Sequence, residues 1–282
     1  MTKNYLSIYA KSFNWAGFFL PKKIYQKCSS LYDFCRTIDD IADQELELDI
    51  KIKQFKEFKE KFINKDFNNQ IIKHMYRLID ETGISKKIVY DLFDGIESDL
   101  KNEVITNSKK ELLIYAYRVA GTVGLMMAKI LNVKKKNALK DAINLGIAMQ
   151  LTNIARDVVE DNLKNRRYIN LNFQSIKDTL STANTFYKSS FSSIGDIPIS
   201  CRFAILVARR VYRQIGNNIL RKKNIENYNK SGKIYVSSLG KFFQTILSVF
   251  DFFTLLVVNS KEHSKDAEHQ IINEEINLNE RI

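Results

Sequence analysis

Two pairs of aspartates, each spaced four residues apart in a helix-forming segment, constrain this chain more than any other feature. They are Asp39 and Asp43 in CRTIDDIAD, and Asp157 and Asp161 in LTNIARDVVED. Residues i and i+4 share a helix face, so each pair points two carboxylates at one spot. Like charges so placed repel by roughly a few tenths of a kcal/mol even on an exposed helix. Here the neighbours are apolar: Tyr32, Cys35, Ile38 and Ile41 around the first pair, Met149, Leu151, Ile154 and Val158 around the second. Buried charge needs a partner. A hard divalent cation supplies one, since Mg²⁺ is held by one or two carboxylates while water and substrate phosphates fill its remaining positions. Two such helices facing each other would make a cage for a diphosphate.

The second segment extends the pattern. Gln150, Asn153, Asp157 and Asp161 step by three, four and four, which places two amides and two carboxylates in one polar stripe on an otherwise apolar helix. Such a stripe faces a wet cavity. Arg36 and Arg156 each precede an acidic pair, and an arginine fork suits phosphate oxygens.

A chain of 282 residues with only two prolines and ten glycines, and without a Pro/Gly/Ser-rich linker, reads as one domain of long helices. We expect helices at about 22–47, 50–63, 68–81, 86–101, 109–131, 134–164, 175–190, 198–224 and 239–258. Both aspartate motifs then lie mid-helix. The segment Val119 to Gly124 is built of small residues. Glycine inside a helix costs about 1 kcal/mol relative to alanine, so Gly121 and Gly124 imply close helix packing, a cavity wall, or both. The polar residues after about Ser260 are expected to form a frayed or disordered tail.

YDFCRTIDDIAD, YRVAGTVG and QLTNIARDVVEDNLKNRRYI together resemble the squalene and phytoene synthases, the head-to-head prenyl diphosphate synthases, and the resemblance runs from about Lys11 to about Leu247. It implies an all-α, single-domain isoprenoid synthase bundle over 1–260 with a central active-site cavity, followed by the tail 261–282. It further implies Mg²⁺, with Mn²⁺ as a substitute, held at Asp39, Asp43, Asn153, Asp157 and Asp161. Catalytic roles fall to the four aspartates with Tyr32 and Arg36. Substrate contacts carry over to Ser12, Tyr32, Arg36, Gln150, Asn153, Arg156, Arg167, Tyr168, Tyr212 and Lys233, with Val119, Ala120, Gly121 and Gly124 beside the prenyl chain. Tyr9 stands where some members carry histidine, and Lys233 near a usual arginine.

Within the family, AGTVG and ARRVYRQIG look more like bacterial phytoene synthases. The expected activity is the condensation of two geranylgeranyl diphosphates to phytoene through a cyclopropyl diphosphate, in carotenoid biosynthesis and without NADPH. The alternative is squalene or dehydrosqualene synthesis from two farnesyl diphosphates; a non-catalytic, membrane-associated assembly subunit of the same fold is a third reading.

Other classes are less well served. A di-iron bundle needs Glu-x-x-His pairs, and none of His74, His263 and His269 lies three residues after a glutamate. Net charge is +12, but the basic residues are spread along the chain and no nucleic-acid motif accompanies them. The densest basic group, Arg209, Arg210, Arg213, Arg221, Lys222 and Lys223, reads first as a solvated helix face and second as a surface for anionic headgroups or substrate. Cys28, Cys35 and Cys201 form no CxxC pair and are odd in number, so neither a zinc site nor a disulfide framework is indicated. With no signal-peptide pattern, the expected location is the cytoplasm, with peripheral contact at the inner face of the cell membrane. Phe242 to Val258 is strongly apolar but short, and Asp251 near its middle would cost about 2.5–3.5 kcal/mol in a bilayer. It is read as a buried core helix or an interfacial docking surface. Oligomeric state is left open.

Overall fold

The computed structural model describes residues 11–258 and 266–282, with side chains from Asn14 onward. Tyr9 and the side chain of Ser12 lie outside the described residues. The described residues are mostly helical: α1 (Lys11–Gly17), α2 (Lys22–Asp43), α3 (Leu48–Ile63), α4 (Gln70–Thr82), α5 (Lys86–Glu97), α6 (Lys109–Ala116), α7 (Thr122–Ile130), α8 (Lys136–Leu163), α9 (Phe173–Ser189), α10 (Ile199–Leu220), α11 (Ile225–Lys230), α12 (Ser238–Val257) and α13 (Ala267–Glu275). Local chemistry sets the ends. The Asn69 side chain accepts from the backbone N–H groups of Ile71 and Ile72 to start α4, and Gly83, at φ +69°, takes the left-handed turn that stops it.

The centre of the bundle is α8, buried on several faces from Ala138 to Val158 and packed against α7, α9 and α10. Its closest neighbour is the expected helix 109–131, which is interrupted. Tyr117–Gly121 forms one π turn between α6 and α7. A π turn inserts an extra residue and re-aims the side chains around it. Glycines make the crossing with α8 tight: a Cβ on Gly124 would collide with the Ala142 carbonyl oxygen, and one on Gly146 with that of Ala120. The small-residue segment therefore serves the helix crossing as well as a wall.

The sequence pattern missed a two-residue parallel ladder, β1 (Val104–Ile105) with β2 (Arg166–Arg167), paired Val104 to Arg166 and Ile105 to Arg167. Two residues are too few to show alternation. The ladder pins the chain leaving α8 beside the chain leaving α5.

Three expectations need correction. Residues 266–282 are not a frayed tail. His269, Ile272, Ile276 and Leu278 are buried, and Arg281 forks onto Asp91 at 2.9 and 3.0 Å. A polar composition had hidden a short apolar stripe at helical spacing. Nor is the start of the basic group on α10 a solvated face. Arg209 is 5% exposed, donates to the Tyr187 carbonyl and lies 4.7 Å over the Phe191 ring, while Arg210 forks onto Asp251 and Arg213 donates to Asn184. Lastly, α12 is not a core helix, since Phe242, Phe243, Phe250 and Phe253 are all exposed.

Candidate active site

One cavity of about 270 Å³ runs into the bundle beside α8. Ala138 and Asn153, both on its wall, are separated by roughly 22 Å of helix axis. The lining is apolar along most of that length. Met127, Leu131, Val133, Ile194 and Ile197 stand among its walls, and Val119, Ala120, Val123 and Gly124 enter from the π turn and α7. Asp39 and Tyr32 on α2, Gln150 and Asn153 on α8, and Tyr212 on α10 bring polar groups to the same cavity. Asp141, which the sequence reading did not single out, also reaches it; its carboxylate accepts from Ser193 and, at 3.0 Å, from Asn144.

Electrostatics separate the four aspartates. Burial, and next the charge of Asp43, push Asp39 up to about 7. Burial, and next the charge of Asp157, push Asp161 up to about 7. The other two have cations in contact. Arg166 donates to Asp43 at 2.6 Å. Arg156 forks onto Asp157 at 2.9 and 2.5 Å, and Lys233 lies 3.4 Å from Asp157 and 2.6 Å from Glu160. Arg36 pairs with Asp40 at 2.5 Å, one turn along α2.

Behind Arg166 lies a buried group that the motifs did not disclose. Tyr115 and Tyr168 stack at 4.6 Å between ring centroids and both donate to Asp99, at 2.8 and 2.7 Å. Burial raises Asp99, and Arg166 is the largest influence opposing that rise. The charge of Asp99 is thus felt by the arginine that holds Asp43. On α8, the Tyr228 hydroxyl donates to the Arg156 carbonyl at 2.5 Å, tying α11 to the acidic turn.

These are the features by which known proteins can be matched. The family model described as squalene/phytoene synthase matches residues 6–173. The chain belongs to the squalene/phytoene synthase family. A phytoene synthase of Pseudescherichia vulneris is 33% identical over 155 residues, 48% of this chain and half the length of that protein. A 15-cis-phytoene synthase of Enterobacter agglomerans is 28% identical over 258 residues, covering 76% of this chain and 83% of the relative. Among solved structures, a dehydrosqualene synthase with bound ligand superposes with a TM-score of 0.74 at 26% identity, covering 88% of this chain and 94% of the other. The chain is thus an enzyme of a prenyltransferase family, with the isoprenoid synthase fold and its greatest likeness to bacterial phytoene synthases.

Against the family pattern, the structure gathers Tyr32, Asp39, Gln150, Asn153, Tyr212, Val119, Ala120 and Gly124 at the cavity. Gly121 instead packs against Ile143 and Ile147 of α8. Tyr168 is buried at Asp99, outside the cavity lining. Arg167 faces solvent, whereas Arg166 reaches the acids. Successive residues of a strand point to opposite sides, and the β1–β2 register decides which arginine turns inward.

Proposed function

We propose that this enzyme condenses two geranylgeranyl diphosphates head to head into phytoene through a cyclopropylcarbinyl diphosphate. The observation that carries the reading is the union, in one cavity, of a long apolar wall with an acidic, amide-bearing region. That is the complement of an amphiphile with a diphosphate head and a hydrocarbon tail. Relatives named phytoene synthase support the same product.

The residues present fit Mg²⁺. Asp39 and Asp161 are carboxylates that burial and a like-charged neighbour hold near neutrality, so a cation would restore their charge. The buried Asn153 Oδ1 has no hydrogen-bond partner among the described residues and is a hard oxygen donor. No group of three or more His, Cys, Asp or Glu side chains suited to a metal forms among the described residues, so substrate phosphate and water would complete the shell. Asp39, Asp43, Asn153, Asp157 and Asp161 would hold the ions. Bound there, Mg²⁺ would neutralise the charge developing on a departing diphosphate.

The chain's own residues do the rest. Arg156, Lys233 and Arg166 place fixed positive charge among the acids, and arginine forks can pass from carboxylate to phosphate oxygens. Met127, Leu131 and Val123 exclude water from an allylic cation, and Tyr32 and Tyr212 present rings beside it. Burial pushes both phenols up to about 12, so they stay neutral and serve as dipoles, not bases. Release of diphosphate leaves a base for the final proton loss, which requires no hydride donor.

The likeness to a dehydrosqualene synthase keeps a farnesyl-based product as the second reading. Purified protein given Mg²⁺ and either farnesyl or geranylgeranyl diphosphate, with and without NADPH, separates them by the hydrocarbon formed. We expect a forty-carbon triene from the twenty-carbon substrate, unchanged by NADPH. Turnover of farnesyl diphosphate alone, or arrest at the cyclopropyl stage until NADPH is added, would overturn the phytoene reading.

A further inference from the structure

Helix α12 is amphipathic in the inverted sense. Four of its polar residues face the protein: Ser248 is 0% exposed, Thr245 accepts from the Trp15 indole at 3.0 Å, Gln244 donates to Gln214 at 3.3 Å, and Asp251 is held by the Arg210 fork at 2.5 and 2.6 Å. Most of its apolar residues face outward, with Phe250 at 65% exposure and Phe253 at 61%, while Leu255 packs inward. A helix on a water-facing surface shows the opposite arrangement. The outward face continues onto neighbouring elements. Phe252 lies 6.3 Å from Phe203 of α10, and Phe203 makes an edge contact at 5.0 Å with Phe19. Next to it Phe18 is 76% exposed, as is Ile199, at 62%, at the start of α10. Exposed apolar surface of this extent marks an interaction site.

We propose that this face docks on the surface of an anionic lipid bilayer, with α12 lying in the interface. Charge selects that occupant. The two ionisable residues of α12 are Lys241 and Asp251, and Asp251 is neutralised by Arg210 on the inward side. The exposed Lys22 and Lys23 follow the Phe18–Phe19 pair after Leu20 and Pro21, and the whole chain carries +12. A second copy of so basic a chain would be repelled, whereas anionic headgroups would be attracted. Position selects it as well. Gly17 and Leu20 line the cavity while Phe18 and Phe19 between them face outward. One turn of chain thus separates the bilayer from the apolar cavity, a short path for a hydrocarbon product.

Trp15, the chain's single tryptophan, sits against α12 and serves as a built-in probe. The protein is floated with phosphatidylglycerol-containing or purely phosphatidylcholine vesicles, at low and high salt, and Trp15 quenching is read with brominated acyl chains. We expect binding to the anionic vesicles about tenfold above the neutral ones at low salt, weakened by salt, with Trp15 quenched. The variant F243S/F250S/F253S, checked for native circular dichroism, should lose about tenfold in binding and its quenching while keeping turnover of detergent-dispersed substrate. Absence of binding by the unmodified protein to anionic vesicles at low salt would overturn the proposal. So would light scattering that shows a dimer which the triple variant splits and vesicles fail to dissociate. Neither outcome touches the assignment of the catalytic cavity.

Discussion

The acidic turns of α2 and α8 share a spacing but not an electrostatic solution. On α2 the cavity-lining member, Asp39, is pushed up to about 7, and Asp43, a turn later, is held by Arg166. On α8 the order is reversed: Asp157 is clamped by Arg156 and Lys233, and the later Asp161 is pushed up to about 7. Each pair therefore offers one carboxylate with a protein cation and one with none bonded to it among the described residues. A repeated sequence motif fixes where the charges lie along a helix. What neutralises them differs: Arg166 reaches Asp43 from β2, whereas Asp157 is clamped by Arg156 of its own helix together with Lys233 from beyond α11.

The comparison predicts its largest effect in catalysis. Asp39→Asn and Asp157→Asn, one from each helix, should each lower kcat by about 100-fold or more at saturating Mg²⁺ with the fold intact, because each removes charge from a cation site while keeping its shape. Near-normal turnover in both variants would remove the metal role from the two helices together.

The comparison also requires α8 to lie at a fixed depth against α7. Gly124→Ala should destabilise the protein by about 1–3 kcal/mol, as overpacking against the rigid Ala142 carbonyl forces the helices apart. Chemical denaturation measures this, and an unchanged midpoint would show that the crossing has slack. A smaller loss is expected at Arg166→Lys, which keeps charge but gives up the guanidinium's simultaneous reach to the Asp43 carboxylate and the Ala42 carbonyl. About a tenfold drop in kcat/KM, against little change for Arg167→Lys, would confirm that the inward arginine is the one that matters.

The subtlest test is the pH dependence of the metal-free protein. Asp39 and Asp161 hold protons up to about 7 when folded, but only to the ordinary carboxylate range when unfolded. Between about pH 4 and 7 the folded state therefore binds more protons, and their contribution to stability falls as pH rises through that window. Asp39→Asn should flatten the decline in Tm from pH 5 to 7.5 and raise Tm at the upper end. A variant with the same slope as the unmodified protein would show that Asp39 is already ionised in this range.

Much of the fold is legible in the residues because its signals are local. Few glycines and prolines, 3.6-residue periodicity and terminal signals locate the long helices, and the observed α2, α5, α8 and α12 begin or end within a few residues of expectation. The short elements α11 and α13 escaped notice because one or two turns carry too few apolar positions to show a period. At the site, the aspartates, Gln150 and Asn153 are readable because a single helix supplies both spacing and facing. Asp99, Tyr115 and Asp141 are not, since each gains meaning only from a residue distant in the chain.

The sequence by itself determined that two helices carry paired carboxylates, that the chain is all-α, and that it resembles its family; periodicity and motif are properties of a short stretch of chain. Only the tertiary structure decided which carboxylate of each pair is neutralised, that Arg166 and not Arg167 turns inward, and that α12 shows its phenyl rings to the outside. Those outcomes depend on strand register, on the charge of Asp99 acting on Arg166, and on partners such as Arg210 and Trp15 brought into contact from far along the chain. Composition could mark Phe242–Val258 as apolar, but packing alone settled which side of it faces the protein.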